Sequence, residues 1–189
     1  MNTPKQKTIK NTNVWSTRQL VSMALFCALA VILSFIELPL FPAAPFLKYD
    51  ASFMPSLVAG FAFGPAAGIA VGVVAAVIHG LFMSNWVGAL MNAIVVVCYI
   101  VPAALIYKKH PTLKFMILGF IISIICATLA AITANLTIGV ICWYGTIDAV
   151  LPLVFPVLLP FNLLKHTLNS LLTLLVFKSI KNLLISKTQ

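Results

Sequence analysis

The stretch FMPSLVAGFAFGPAAGIAVGVVAAVIHGLFM, residues 53–83, decides the fold. It contains no Asp, Glu, Lys or Arg, and Phe63-Gly64-Pro65 near its middle is a turn signal. A transmembrane helix needs about 20 apolar residues, so this stretch is too long for one ordinary span and short for two. The flanking segments determine how many times it crosses the membrane.

The composition is that of an integral membrane protein. Of the 189 residues, 62% are hydrophobic and 8% are charged, and the mean hydropathy is +1.11. Soluble domains carry about 25% charged residues, so this chain cannot cover a globular surface with polar groups. Disorder is excluded because apolar side chains dominate. A soluble enzyme is nearly excluded, since Asp, Glu and His are too scarce for both a surface and a catalytic cluster.

The distribution of basic residues predicts the topology. The net charge of +9 would suggest nucleic acid in a soluble protein, but nearly all Lys residues lie at the ends of apolar segments. We therefore expect contact with the lipid bilayer and no nucleic-acid partner. By the positive-inside rule, the N-terminal lead and the Lys108-Lys109-His110 loop are cytoplasmic. Between them the chain must cross the membrane an even number of times, and two clear spans, about 19–38 and 86–107, already supply two crossings. Residues 53–83 must therefore add zero crossings or two, and zero is implausible for so apolar a stretch.

The predicted pair of helices in that stretch covers about residues 52–63 and 66–82. Two further spans are expected at about 115–139 and 161–177. The predicted fold is therefore all-α, an integral membrane bundle of six transmembrane helices with cytoplasmic N- and C-termini.

We divide the chain into a cytoplasmic lead (1–18), a six-helix transmembrane domain (19–180) and a cytoplasmic tail (181–189). The expected localisation is the plasma membrane, as a multi-pass protein.

Unusual polar residues are concentrated in the half of the bundle that this topology places outside. They are Glu37, Lys48, Asp50, Asn85, Asn92, Asn135, Asn162 and Lys165, with Asn169 the main exception. An ionisable residue inside a span is costly without a partner or water. The spacing i, i+3, i+4, i+7 puts Asn162, Lys165, His166 and Asn169 on one helix face. That face is expected to point into the bundle or a wet pocket.

Two interpretations of these residues remain open. The Asn side chains could hydrogen-bond between helices while Lys165 extends to the near surface. Alternatively, they line an outward-facing pocket, where amides with two donors and an acceptor suit a flat, uncharged heterocycle. The proline-rich loop 39–50 would then be a lid. Its aromatics could stack on the ligand or form an interfacial belt, and the belt is favoured for Trp86, Trp143 and Tyr144.

Catalytic and nucleotide-binding motifs are not present in the sequence, including a Walker motif, a Ser/His/Asp set and HExxH. His79 and His110 have no metal-ligand neighbour at suitable spacing, and a structural role is favoured for both. The four cysteines have no CxxC spacing and are read as reduced packing residues. We expect no enzyme, no catalytic residue and no metal, and ATP-driven transport would need another subunit.

Small residues recur at spacing four from Gly60 to Gly80, which predicts close packing within the bundle. Ala24 and Ala28 form a similar small-xxx-small element on span one. That element could pack inside the bundle or dock a partner helix in the bilayer.

Several segments together resemble the substrate-binding S component of energy-coupling factor (ECF) vitamin transporters, most closely its riboflavin-specific members. They are Ala24-xxx-Ala28, Phe63-Gly64-Pro65, Gly88-Ala89-Leu90-Met91-Asn92 and Pro160-Phe161-Asn162-Leu163-Leu164-Lys165. The resemblance runs from about Arg18 to the C-terminus. The Asn-Leu-Leu-Lys segment carries most of it.

The resemblance implies high-affinity capture of riboflavin at the outer face, with riboflavin as transported ligand and no cofactor. It implies as partners a transmembrane coupling subunit, docked through Ala24 and Ala28, and two ATP-binding subunits, with toppling of the S component during import. The ligand-binding residues it implies are Asn92, Asn135, Asn162, Lys165, Asn85, Lys48, Tyr49, Asp50, Leu40 and Phe41.

Alternatives from other classes stay open. An S component for another vitamin, such as cationic thiamine, would need acids in the pocket, and Glu37 and Asp50 are the candidates. A stand-alone secondary transporter or channel usually shows internal repeats or an ionisable relay across the membrane, and neither is visible. A membrane enzyme would need a catalytic constellation.

Overall fold

The computed structural model of the protein describes residues 15–41 and 44–185, with side chains up to Lys181. Of the residues predicted to be cytoplasmic, Lys5, Lys7, Lys10 and Lys187 lie outside the described residues.

Six substantial helices and one single-turn helix make up the described part of the fold. The helices are α1 (Thr17–Ser34), α2 (Phe53–Phe63), α3 (Pro65–Phe82), α4 (Trp86–Lys109), α5 (Leu113–Ala134), the single turn α6 (Leu151–Leu153) and α7 (Leu159–Ile185). Two π-helical stretches, Asn135–Tyr144 and Val154–Leu158, and a 3₁₀ turn, Ile147–Ala149, lie between α5 and α7. Two short strands, β1 (Leu38–Pro39) and β2 (Lys48–Tyr49), pair antiparallel.

The predicted pair of helices within residues 53–83 is confirmed. Gly64 separates α2 from α3 with φ +96°, a backbone conformation that only glycine adopts readily. Pro65 follows at the first position of α3, where its fixed φ and missing N–H are tolerated. The turn signal therefore ends one helix and starts the next.

Within the described residues, five helical segments are long and apolar enough to cross a membrane: Thr17–Ser34, Pro65–Phe82, Trp86–Lys109, Leu113–Tyr144 and Ile147–Lys181. The remaining substantial helix, α2, is shorter and has only 11 residues. At about 1.5 Å per residue it covers roughly half of a hydrocarbon core about 30 Å thick. The protein is thus a multi-pass membrane protein in which α2 is too short to span the hydrocarbon core.

The short helix α2 lies at the centre of the bundle. It packs against α1, α3, α4 and α7, and Leu57, Val58 and Ala59 are fully buried. Close approach to α3 depends on Gly68, where a Cβ would lie 2.7 Å from the Ser56 carbonyl oxygen. This agrees with the packing role predicted for the small residues. Because α2 begins at Phe53, the described part of the bundle has no central helix beyond that point.

We call the part of the bundle beyond the start of α2 the cavity half, and the part around the end of α2 the closed half. The closed half is filled by aromatic rings. Phe61 contacts Tyr107, Phe120 and Phe177, with ring centroids 4.9, 5.6 and 5.4 Å apart.

Several boundaries differ from the prediction, most of them in the cavity half. α1 ends at Ser34 rather than near Leu38, and the β1–β2 pairing, which involves the proline-rich loop, was not anticipated. Helical structure after α5 continues in π form to Tyr144, beyond the expected end near Gly139. The helical turns between residues 147 and 158 were not anticipated, since their apolar sequence has no clear periodicity.

Candidate functional site

A cavity of about 640 Å³ occupies the space above the start of α2. Its walls come from the ends of α1 and α3, from α4 and α5, from the start of α7, and from the loop that carries the hairpin. The polar side chains that line it are Ser34, Glu37, Lys48, Asp50, Ser52, His79, Asn85, Asn92, Asn135, Tyr144, Asn162, Lys165 and His166.

Most of the predicted ligand-binding residues meet in this one space. Lys48, Asp50, Asn85, Asn92, Asn135, Asn162 and Lys165 all line the cavity. They come from the loop, α4, α5 and α7, so the common site is a product of tertiary packing.

Three predicted residues, Leu40, Phe41 and Tyr49, are not among the lining residues. Phe41 packs edge-on against Phe161, a lining residue, with centroids 6.0 Å apart. Tyr49 is buried and pairs with Leu38 in the hairpin, and Leu40 is half-buried. The direct ligand contacts expected of these three stay predictions.

A buried ion pair joins the loop to α7. The Lys165 Nζ lies 2.8 Å from the Asp50 Oδ2, and the two side chains are only 8% and 13% exposed. The ammonium also lies 5.1 Å from the centroid of the Phe53 ring, in cation–π contact. Charged groups this deep are tolerated only when paired, so each stabilises the other.

The protonation of Asp50 follows from these neighbours. Burial alone would raise the pKa of its carboxyl. The Lys165 charge and hydrogen bonds from Lys165 and from the Ser52 hydroxyl and backbone N–H outweigh that effect and hold the pKa below its ordinary value. Asp50 is therefore ionised throughout the physiological pH range.

Asn169 anchors the loop that carries Asp50. Its Nδ2 donates to the Asp50 carbonyl oxygen at 3.0 Å and to the Lys165 carbonyl oxygen at 3.1 Å. Its Oδ1 is buried and has no hydrogen-bond partner among the described residues. The sequence placed Asn169 on the polar face of the last helix but not among the ligand-binding residues, and its position four residues after Lys165 was the available signal.

A second group of charges lies at the rim of the cavity. Glu37 accepts a hydrogen bond from Lys48 at 2.5 Å, and its other oxygen lies 3.4 Å from the His79 Nε2. This arrangement links the hairpin to the end of α3. Sequence reasoning did not include Glu37 in the ligand-binding set and gave His79 a structural role, because the contact depends on how α3 and the loop meet.

The Asn side chains are oriented by their own helices. The Asn135 Nδ2 donates to the Ala131 carbonyl oxygen at 2.9 Å, and the Asn162 Nδ2 donates to the Leu158 carbonyl oxygen at 2.8 Å. The Asn85 oxygen caps α4 by accepting from the Gly88 N–H. Each of these bonds uses one hydrogen-bonding group of an amide that has three or more. They are not interhelical bonds, so the interpretation as polar contacts between helices is not favoured.

Asn135 also marks a change in the helix. It is the first residue of the π-helical stretch that runs to Tyr144. Such stretches often occur at functional sites, because the wider turn redirects side chains. Here Trp143 and Tyr144 line the cavity, whereas the sequence favoured an interfacial belt for them. Trp86 is 58% exposed, which fits a belt position.

An aromatic floor closes the cavity toward the closed half. The His166 ring stacks on Phe53 at 6.0 Å and contacts Tyr99 at 5.1 Å. The Tyr99 hydroxyl lies 2.9 Å from the His166 carbonyl oxygen and 2.7 Å from the Ser170 Oγ. The His166 Nδ1 is 3.4 Å from the Thr128 Oγ1. These contacts separate the cavity from the aromatic cluster beneath it.

Ala24 and Ala28 lie elsewhere on the molecule. Both are exposed on α1, whereas Met23 and Ala30 are the buried residues beside them. The element therefore does not serve internal packing in the described part of the chain. Within residues 15–41 and 44–185, no group of three or more His, Cys, Asp or Glu side chains could hold a metal ion.

Comparison with known proteins identifies the family to which this architecture belongs. Residues 18–177 match the family model described as ECF transporter, substrate-specific component. The chain belongs to this family of membrane transport proteins, whose members are substrate-binding components rather than enzymes.

Individual relatives cover nearly the whole chain. The riboflavin transporter RibU of Staphylococcus aureus is 30% identical over 180 residues, which is 91% of this chain and 95% of that protein. The riboflavin transporter FmnP of Bacillus subtilis is 28% identical, over 87% of this chain and 92% of its own length. A solved structure of the S component of a bacterial ECF transporter superposes with a TM-score of 0.77 at 30% identity, over 88% of this chain and 97% of that one.

Proposed function

We propose that this protein is the riboflavin-binding subunit of an ECF-type vitamin uptake transporter. The observation that carries the proposal is the cavity above the start of α2, where Asn amides and two Lys–carboxylate ion pairs surround a space of about 640 Å³. Pockets for small ligands are usually about 300–1,000 Å³. The relatives named as riboflavin transporters support the choice of ligand.

The chemistry of the lining suits an uncharged flat ring. The imide edge of riboflavin alternates carbonyl oxygens with an N–H group. An amide can donate to the carbonyl and accept from the N–H, so Asn92, Asn135 and Asn162 match this edge. Phe46, Trp143 and Tyr144 offer aromatic surface in the same cavity.

A cationic ligand such as thiamine fits this lining less well. Both acids that could receive it, Glu37 and Asp50, are already paired with lysines. Freeing either carboxylate would leave a lysine without its partner, and for the buried pair this is costly. The pairing favours a neutral ligand over a cation.

The proposal includes an orientation. Lys108, Lys109 and Lys114 lie beyond the closed half, at the connection between α4 and α5. Under the positive-inside rule this end is cytoplasmic, together with both termini, and the cavity opens to the exterior. Riboflavin would therefore be captured from outside the cell.

Import requires partners in this proposal. The sequence has no nucleotide-binding motif, so energy would come from two ATP-binding subunits acting through a transmembrane coupling subunit. Exposed Ala24 and Ala28 on α1 allow a partner helix to approach closely in the bilayer. We assign the coupling subunit to this surface.

The test is titration of the purified, detergent-solubilised protein with riboflavin. Binding is measured by the quenching of protein and flavin fluorescence. Saturable binding with one site is expected, and protein purified from cells grown with riboflavin should carry a flavin absorption spectrum. Thiamine serves as the control ligand. Absence of riboflavin binding, or preference for thiamine, contradicts the proposal.

A further inference from the structure

A closed ring of contacts holds Lys165 at both of its ends. The Lys165 Nζ lies 2.8 Å from the Asp50 Oδ2, and the Asp50 carbonyl oxygen accepts a hydrogen bond from the Asn169 Nδ2 at 3.0 Å. The same Nδ2 donates to the Lys165 carbonyl oxygen at 3.1 Å. The ring therefore runs from the lysine ammonium through the loop and back to the lysine main chain, and Asn169 supplies the two hydrogen bonds that close it.

The Asn169 amide fits this position in one orientation. Both of its neighbours are carbonyl oxygens, which accept and cannot donate, so the amide nitrogen must face them and both of its hydrogens are used. The bond to the Lys165 carbonyl ties the amide to its own helix, and the bond to the Asp50 carbonyl reaches the loop. Helix α7 thereby fixes the main chain of the loop at the residue whose carboxylate meets Lys165.

The surroundings of Asn169 indicate a role other than stabilising the bundle. Its side chain is fully buried, and its Oδ1 has no hydrogen-bond partner among the described residues. A buried polar atom without a partner destabilises a fold, and an apolar side chain of similar size would avoid that cost. Asn169 also lies outside the described lining of the cavity, so any effect on a ligand must pass through its two neighbours.

We propose that Asn169 is a positioning residue for ligand binding, which ties the Asp50 main chain to α7 and thereby holds the Asp50 carboxylate and the Lys165 ammonium in place at the cavity wall. This inference rests on the proposed function and adds to it a residue that does not touch the ligand. Polar groups that are already held in place lose less conformational freedom when a ligand binds, so the ligand binds more tightly.

The first measurement is the dissociation constant for riboflavin in Asn169→Leu, by fluorescence quenching. Leucine has a similar size but no donor, so the loop loses its bond to α7 while the lining of the cavity keeps its composition. The dissociation constant is expected to rise at least about fivefold, which is the net contribution of roughly one hydrogen bond. An unchanged dissociation constant overturns the inference.

The matched control is Thr173→Val, one helical turn further along α7. Thr173 is also fully buried, and its Oγ1 donates within the helix to the Asn169 carbonyl oxygen at 2.7 Å. This variant removes a buried hydrogen bond that does not reach the loop, so the dissociation constant should change less than about twofold. An equal loss of affinity in both variants would assign the effect to the helix and overturn the inference.

Hydrogen–deuterium exchange of the ligand-free protein tests the positioning role without any ligand. In Asn169→Leu, amide exchange in residues 44–52 should accelerate at least about threefold, while residues 99–107 of the closed half should exchange at the parent rate. Thr173→Val should leave both segments unchanged. Acceleration spread evenly over both segments would show a general loss of stability, and no acceleration would show that Asn169 does not hold the loop; either result overturns the inference.

A double variant tests whether Asn169 acts through Asp50. Asp50→Ala cuts the side-chain link to Lys165, so adding Asn169→Leu to it should raise the dissociation constant less than about twofold further. A further rise as large as in the parent background contradicts this route.

The two proposals fail separately. A parent protein that binds no riboflavin disproves the proposed function. A parent that binds riboflavin, with an Asn169→Leu variant that binds it equally well, leaves the ligand assignment intact and disproves the role of Asn169.

Discussion

The closed half and the cavity half of the bundle use the same helices for opposite purposes. Around the end of α2, Phe61, Tyr107 and Phe177 fill the centre with rings in mutual contact. Around its start, the centre holds Lys165, Asp50 and the Asn amides instead. The difference follows from one feature, the 11-residue length of α2. Where the central helix is missing, a hollow forms, and the polar residues of the neighbouring helices face it.

The two halves should therefore separate stability from ligand binding. Ring packing in the closed half contributes van der Waals contacts that lipid cannot replace at the same density. Polar groups in the cavity half contribute little to stability, because desolvation offsets much of their attraction. Substitutions in each half test whether stability and ligand binding depend on different residues.

The largest expected effect is on stability, from Phe177→Ala in the closed half. Phe177 is fully buried, so truncation leaves a void and should destabilise the fold by about 3 kcal/mol. The midpoint Tm of thermal unfolding in detergent, followed by tryptophan fluorescence, measures it. Phe155→Ala is the control, since Phe155 is 79% exposed and its loss should matter little. If the two variants lower Tm equally, the closed half is not the stabilising core.

The next effect is on binding, from Asn162→Ala in the cavity half. Loss of one amide from the lining should weaken riboflavin binding at least tenfold, about 1.4 kcal/mol, with a small change in Tm. Lys165→Ala should weaken binding by a similar factor, with an added loss of stability because Asp50 is left unpaired. Leu164→Ala, a half-exposed neighbour, is the control. Unchanged riboflavin affinity in both Asn162→Ala and Lys165→Ala would show that riboflavin does not bind in this cavity.

A third variant tests a surface outside both halves. Ala24→Leu or Ala28→Leu adds bulk to the exposed face of α1, so riboflavin affinity should remain within about twofold while uptake by the assembled transporter falls at least roughly twofold. Ala66→Leu, at another exposed alanine, on α3, is the matched control. Uptake that survives both α1 variants would place the coupling subunit elsewhere.

The smallest effect near neutral pH concerns Asp50. Its pKa is held below the ordinary value, so its contribution to stability is present above about pH 4 and is lost as the pH falls through the lowered pKa. Tm should therefore be unaffected by this group between about pH 5 and 8. Below that window, the parent should lose more Tm than Asp50→Asn does. An acid-induced loss of equal size in both proteins would show that the ion pair does not stabilise the loop.

Much of the bundle could be predicted because its signals are local. Gly64 ends one helix and Pro65 begins the next because of their own backbone preferences. The boundary between α2 and α3 was therefore predicted correctly from these two residues. Charge positions and hydropathy set the number of helices. The polar face of α7 followed from helical periodicity, which is why Asn162 and Lys165 were placed together in a pocket.

Tertiary structure alone decided which groups meet across that pocket. Lys165 and Asp50 are 115 residues apart, and nothing in the local sequence of either specifies the other as its partner. The same holds for Glu37 with His79 and for the turn of Trp143 and Tyr144 into the cavity through a π-helical stretch. The physical reason is that helix propensity and periodicity act over a few residues, whereas a buried charge finds its partner only when distant helices and a loop pack around the same space.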